Sequence, residues 1–163
     1  MYKGDRVMST LQDLIKKYAS QYKEQVVEWR RYIHSHPELS GEEKNTSLFI
    51  QKILGELGIP FVNDISDYAV IGKIEGAYPG PVIALRADID ALPIHETTGL
   101  PFASQNDGVM HACGHDSHIA ILLGAAAILQ SLKDQLHGTV KLVFQPSEEE
   151  ALFPGAQGIV DSG

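Results

Sequence analysis

Apolar positions recur at spacings of three and four early in the chain: Leu11, Leu14, Ile15, Tyr18, Tyr22, Val26, Trp29 and Ile33. That period predicts one long amphipathic helix. Ser9-Thr10-Leu11-Gln12 reads as a capping box at its start. Its end falls near His36-Pro37, because a proline drives the residue before it out of the helical region. A second helix is expected from Ser40-Gly41-Glu42-Glu43, with Leu48, Phe49, Ile53, Leu54 and Leu57 on its buried face and Gly58 as its C-terminal cap. Tyr68–Ile74 alternates like a strand, and 76–81 reads as a turn. Pro81–Ala87 (PVIALRA) is a continuous apolar run, the pattern of a strand covered on both faces. Residues 93–110, rich in Pro, Gly, Thr, Ser and Asn, read as a loop. A third helix is expected over His118–Lys133, capped by Asp116 or Ser117, and a buried strand over Thr139–Phe144 (TVKLVF). Helix-like spacing resumes at Ala156–Val160. Helices alternating with buried strands predict an α/β fold with a mixed, largely parallel sheet flanked by helices.

Composition narrows the function classes. The chain has 163 residues, of which 13 are basic and 21 acidic, for a formal charge of 13 − 21 = −8. Residues 1–31 carry seven Lys/Arg and four Asp/Glu, so the remainder carries six against seventeen. An acidic body repels phosphate backbones, which argues against a nucleic-acid partner. The single cysteine, Cys113, rules out an internal disulfide. The first 20 residues lack the apolar core of a secretory signal. The longest apolar run, Ile119–Leu129, is about half a membrane span and is interrupted by Gly124. A soluble cytoplasmic protein without a membrane partner is the expectation.

Three polar clusters follow or adjoin the buried strands: Arg86-Ala87-Asp88-Ile89-Asp90, His111 through His118 (HACGHDSH), and Glu148-Glu149-Glu150. Sites in α/β sheets form beyond the carboxyl ends of strands. The middle cluster packs three histidines, one cysteine and one aspartate into eight residues. Gly114 between Cys113 and His115 lets the backbone turn so that both side chains face one point. Thiolate and imidazole suit several divalent metals. A lone cysteine is more often a small buried apolar residue, but this density of ligand types favours a metal. Two adjacent glutamates at a metal can divide the labour, one ligating and one moving protons; spacing leaves open which does which. Asp88 and Asp90 lie two apart, on one face of an extended strand. They are read with equal weight as surface carboxylates or as supports for a ligand.

Three motifs in order, Arg86–Pro93 (RADIDALP), Met110–His118 (MHACGHDSH) and Phe144–Glu149 (FQPSEE), resemble the amidohydrolase branch of the zinc aminoacylase and carboxypeptidase family. The branch includes hippurate hydrolases, N-acyl-amino-acid amidohydrolases, N-acetyl-diaminopimelate deacetylases and auxin-conjugate hydrolases. His34–Leu39 (HSHPEL) is similar to the family's early helix-ending motif. The resemblance implies a zinc-peptidase-like catalytic domain with two divalent metal ions (Zn, Mn, Ni or Co). In it Cys113, His115 and Glu149 match metal ligands, Glu148 matches the general base that activates water, and Asp90 matches a supporting carboxylate. The implied reaction is hydrolysis of the amide of an N-acyl amino acid or short peptide, by a homo-oligomeric parent enzyme.

The family supplies two further histidine ligands downstream of the glutamate pair, yet this sequence has no histidine after His137. Residues 1–163 therefore read as the N-terminal part of a catalytic domain, without its C-terminal part or a dimerisation domain, and inactive alone. His111 and His118 read as supporting or structural histidines rather than substitutes. Two other readings stand beside this one: a thiol hydrolase with Cys113 as nucleophile and His111 or His115 as base, and a non-catalytic metal-binding module.

Overall fold

A computed structural model describes residues 4–150 and 155–162, with side chains from residue 11 onward. Helix α1 (Gly4–Ser35) is followed by α2 (Lys44–Glu56), strands β1 (Phe61–Val62), β2 (Val70–Glu75) and β3 (Tyr78–Asp88), helix α3 (His115–Ser131), a short 3-10 turn, strand β4 (His137–Gln145) and helix α4 (Gly155–Asp161). The expected α/β class holds, and the long loop over 93–110 carries neither helix nor strand.

The four strands run in the order β1-β2-β4-β3. β4 pairs in parallel with β3, from Val82–Thr139 to Asp88–Gln145, and antiparallel with β2; β1 and β2 are also antiparallel. The sheet is mixed, as expected, but the parallel share among the described strands is one pairing of three. Its apolar runs do not encode direction: β2 is reached from α2 by a short segment and lies antiparallel to the later β4.

PVIALRA does form a strand, and among the described residues it is not covered on both faces. β3 is an edge strand here, and Val82 and Ile83 are 63% and 52% exposed. β4 fills the central position instead, and Leu142 and Phe144 are fully buried. At its start Gly138 has φ +87°, and a Cβ there would stand 2.0 Å from the Pro81 carbonyl oxygen, so only glycine fits where β3 and β4 first meet.

α3 is apolar almost all round, the pattern of a helix enclosed by other elements. It packs on α1 and reaches β2, β3 and β4. Trp29 and Ile33 of α1, Ile50 and Leu54 of α2, and Ile119 and Leu123 of α3 join Ile74, Leu142 and Phe144 in one core.

Helix ends differ from expectation in three places. Ser9 lies inside α1, so Ser9–Gln12 does not cap it. α2 begins at Lys44, and its first amides are held from outside: Glu38 accepts from the Asn45 and Thr46 amides at 3.1 and 2.8 Å. Its buried face is Thr46, Ser47, Ile50, Ile53 and Leu54, while Leu48 is exposed. α3 begins at His115 with Gly114 before it, so Asp116 and Ser117 are helical residues and not caps. Gly58, with φ +66°, does follow α2 as its left-handed cap.

Candidate metal centre

The carboxyl ends of β3 and β4 lie side by side, Asp88 opposite Gln145. Beyond β3 the chain continues into Asp90; beyond β4 it turns through Pro146 and Ser147 into the glutamates. The N-terminus of α3 arrives at the same place. Gly114, with φ +86°, makes the turn between Cys113 and His115. A Cβ at Gly114 would meet no atom within 4 Å, so Gly114→Ala carries only the left-handed backbone penalty, about 1 kcal/mol. Denaturant unfolding checks this, and Gly114→Asn is expected to be milder.

Cys113, His115 and Glu149 each bring one potential ligand atom to within 4.8 Å of one another. Their surroundings suit that role. His115 is buried, and its Nδ1 donates to Asp90, 3.0 Å from the carbonyl oxygen and 3.1 Å from Oδ1. With the proton on Nδ1, the Nε2 lone pair faces Glu148 and Glu149, each 3.9 Å away. Burial works to lower the His115 pKa, but hydrogen bonds and charge from Asp90 outweigh it and the net shift is upward. Asp90 is opposed by burial too, yet bonds from His115, the Glu149 amide and the Ser40 hydroxyl hold its carboxyl below the ordinary range.

Cys113 is exposed. Its thiol donates to Glu149, and that bond, slight burial and the charges of Glu149, Glu148 and Asp88 push its pKa up. A nucleophilic cysteine needs the opposite, a cationic setting that favours thiolate. The ring of carboxylates suits a cation far better.

Asp88 and Asp90 do not act as a pair. Asp88 is ion-paired with Arg86 and lies 3.7 Å from His118, while Asp90 faces His115. Asp88, His115 and His118 form a second group with ligand atoms within 4.8 Å, although His118 is more than half exposed and Asp88 already has a cation. His111 stands apart: it is buried, neither ring nitrogen has a partner among the described residues, and burial lowers its pKa to about 4.

Several participants carry no local signal in sequence. Asp116, fully buried, accepts from Arg30 Nε at 2.7 Å and pairs with His34 Nδ1 at 2.8 Å, while His34 Nε2 meets Glu96 at 3.2 Å. This chain of polar contacts ties α1 to the start of α3 and to the 93–110 loop. Glu43 is fully buried, and burial raises its pKa despite hydrogen bonds that favour the charged form.

Fold and site together define a class: an α/β chain with a thiol, imidazole and carboxylate donor set gathered at the ends of a parallel strand pair. The sequence profile of peptidase family M20/M25/M40 matches residues 84–163, which carry that whole donor set. The chain is 45% identical over 150 residues to the N-acyl-L-amino acid amidohydrolase of Geobacillus stearothermophilus, covering 91% of this chain and 40% of that protein. It is 45% identical to the N-acetyl-L-cysteine deacetylase of Bacillus subtilis, covering 98% of this chain and 38% of that one. Among solved structures, the Bacillus subtilis YXEP protein, a dinuclear metal binding peptidase from the M20 family, superposes with a TM-score of 0.84 at 46% identity, over 88% of this chain and 40% of that chain. The likeness to peptidase family M20/M25/M40 runs over residues 84–163, and the chain spans about two fifths of the length of the curated relatives it matches. Among the described residues, no helix is long and apolar enough to cross a membrane.

Proposed function

We propose that this chain is part of a metal-dependent amidohydrolase acting on the amide of N-acyl amino acids or short peptides. The observation that carries the reading is the convergence of Cys113, His115 and Glu149 within 4.8 Å, with Glu148 beside them. The donor set fits divalent cations: one soft thiolate, one imidazole with Nε2 free, and one carboxylate. Cys113, His115 and Glu149 would hold the cations, two in number by analogy with the dinuclear relative. When bound, the cations supply Lewis acidity, lowering the pKa of a water and polarising the amide carbonyl. Glu148 takes the proton of the attacking water and passes it to the leaving amine nitrogen. Asp90 keeps His115 in the tautomer that ligates.

Residues 1–163 correspond on this reading to the N-terminal part of a catalytic domain. The share of the relatives' length and the lack of histidine after His137 support that assignment. Two more ligands would then come from elsewhere in the parent, a cytoplasmic homo-oligomer in this proposal. The −8 charge favours a small-molecule substrate over nucleic acid.

Titrating the chain with Co(II) tests the centre. A thiolate-to-cobalt absorption band is expected, abolished by Cys113→Ser and reversed by a chelator. Hydrolysis of N-acetyl amino acids by this chain, with Mn(II) or Zn(II) added, is expected at background. No band would sink the metal reading, and robust turnover would sink the need for further ligands.

A further inference from the structure

We propose that Glu43 is a positioning residue that grips the turn carrying the two site glutamates, an inference that rests on the metal-centre reading above. Glu43 stands at the N-cap position of α2, but its side chain makes no capping hydrogen bond there. Its side chain instead crosses to the end of β4, where Oε1 accepts from the Ser147 amide at 2.7 Å and lies 3.4 Å from the Ser147 hydroxyl. Ser147 has φ +52°, a left-handed conformation that a residue other than glycine adopts only when held. Two residues on, the Glu149 amide donates to Asp90 at 2.9 Å. Two buried carboxylates from earlier in the chain thus hold the amides on either side of Glu148. The two clamps are themselves linked, because Ser40, three residues before Glu43, donates to Asp90 at 2.7 Å.

A solvated turn needs no such device. Burying a carboxylate is costly unless hydrogen bonds compensate, and the other oxygen of Glu43 has no partner among the described residues. Capping does not account for that cost, since Glu38 holds the first amides of α2. What Glu43 does hold is the backbone that sets the direction of Glu148 and Glu149 toward His115. The function assigned to it is therefore orientation of the glutamate pair, acting through Ser147 and not by contact with a cation or substrate.

Glu43→Leu and Glu43→Gln in this chain test the assignment. Without metal, Glu43→Leu is expected to speed exchange of the Ser147 amide about ten-fold, with the amides of Val140 and Leu142 in β4 unchanged. It is expected to weaken Co(II) binding by about ten-fold or more while the thiolate band persists, because Cys113 is untouched. Glu43→Gln, whose amide oxygen can still accept, is expected to restore both. If Glu43→Leu fails to fold, Glu43→Asp, one methylene shorter, is expected to show the same changes at several-fold amplitude. Unchanged Ser147 exchange, or equal acceleration throughout β4, would overturn the proposal. A wild-type chain that binds no Co(II) would remove the metal reading, and the exchange comparison would still decide whether Glu43 holds the turn.

Discussion

Asp90→Ala is expected to destabilise the metal-free chain by about 4 kcal/mol, the scale for removing one partner of a buried charge pair. The Asp90 carboxylate is fully enclosed and has three donors: the Ser40 hydroxyl at 2.7 Å, the Glu149 amide at 2.9 Å and His115 Nδ1 at 3.1 Å. Alanine leaves the Ser40 hydroxyl and the Glu149 amide without their acceptor, and His115 Nδ1 keeps only the carbonyl oxygen of residue 90, at 3.0 Å. Because these bonds hold its pKa below the ordinary range, Asp90 contributes stability above the unfolded carboxylate value, and that contribution is lost as pH falls through the folded value. The gap between wild type and Asp90→Ala should therefore be full at neutral pH and shrink in acid. Denaturant unfolding at several pH values measures it. A variant within about 1 kcal/mol of wild type at pH 7 would mean that water replaces the carboxylate readily.

Asp90→Asn separates structure from chemistry at the same position. If the amide oxygen keeps Ser40 and Glu149, the NH2 faces His115 Nδ1, which then has only the carbonyl oxygen of residue 90 as acceptor, at 3.0 Å. The carboxylate's hold on the Nδ1 proton is lost, which raises the share of the tautomer protonated on Nε2, the nitrogen that faces Glu148 and Glu149. Folding should suffer little, while metal affinity should fall by about 10–100-fold. Equal Co(II) affinity in wild type and Asp90→Asn would show that the tautomer of His115 does not matter.

Most elements were legible because their periods are strong. α1, α2, α3 and β4 lie where apolar spacing puts them. What periodicity cannot carry is position within the sheet: PVIALRA and TVKLVF look alike, yet among the described residues one lies at the edge and the other at the centre. Helix caps failed for a related reason. Ser9 and Asp116 satisfy local capping patterns, whereas the group that holds α2, Glu38, reaches its amides from seven and eight residues upstream of them, outside the pattern. The donor set was legible from motif order, since Cys113, His115 and the glutamates each sit at a strand end or a helix start. Their supports were not. Glu43 meets Ser147 across 104 residues and His34 meets Asp116 across 82, and nothing in either neighbourhood announces the partner. The family resemblance matches Asp90 to a supporting carboxylate, and its geometry separates it from Asp88, which spacing alone leaves equivalent.

His111→Leu is expected to remove much of the chain's sensitivity to mild acid. His111 is 4% exposed and has no hydrogen-bond partner for either ring nitrogen among the described residues. Burial lowers its pKa from 6.5 to about 4; the charge of Asp116 opposes that shift, and those of His34 and His115 add to it. A folded value below the unfolded one means that the unfolded chain takes up the proton first. No proton-linked cost arises above pH 6.5, and stability is lost as pH falls from 6.5 toward about 4. At 1.36 kcal/mol per pH unit, the full loss is about 3 kcal/mol. His115 does not obscure this window: its raised pKa gives a contribution that is complete below 6.5 and lost only at higher pH. Leucine has similar bulk, no proton to take up and no buried nitrogen to satisfy. With a chelator present, wild type and His111→Leu should be close in stability at pH 8 and diverge below pH 6.5, the variant losing less. Unfolding curves that stay parallel from pH 8 to pH 4.5 would show that the imidazole is protonated without cost, and so that water reaches it in the native fold.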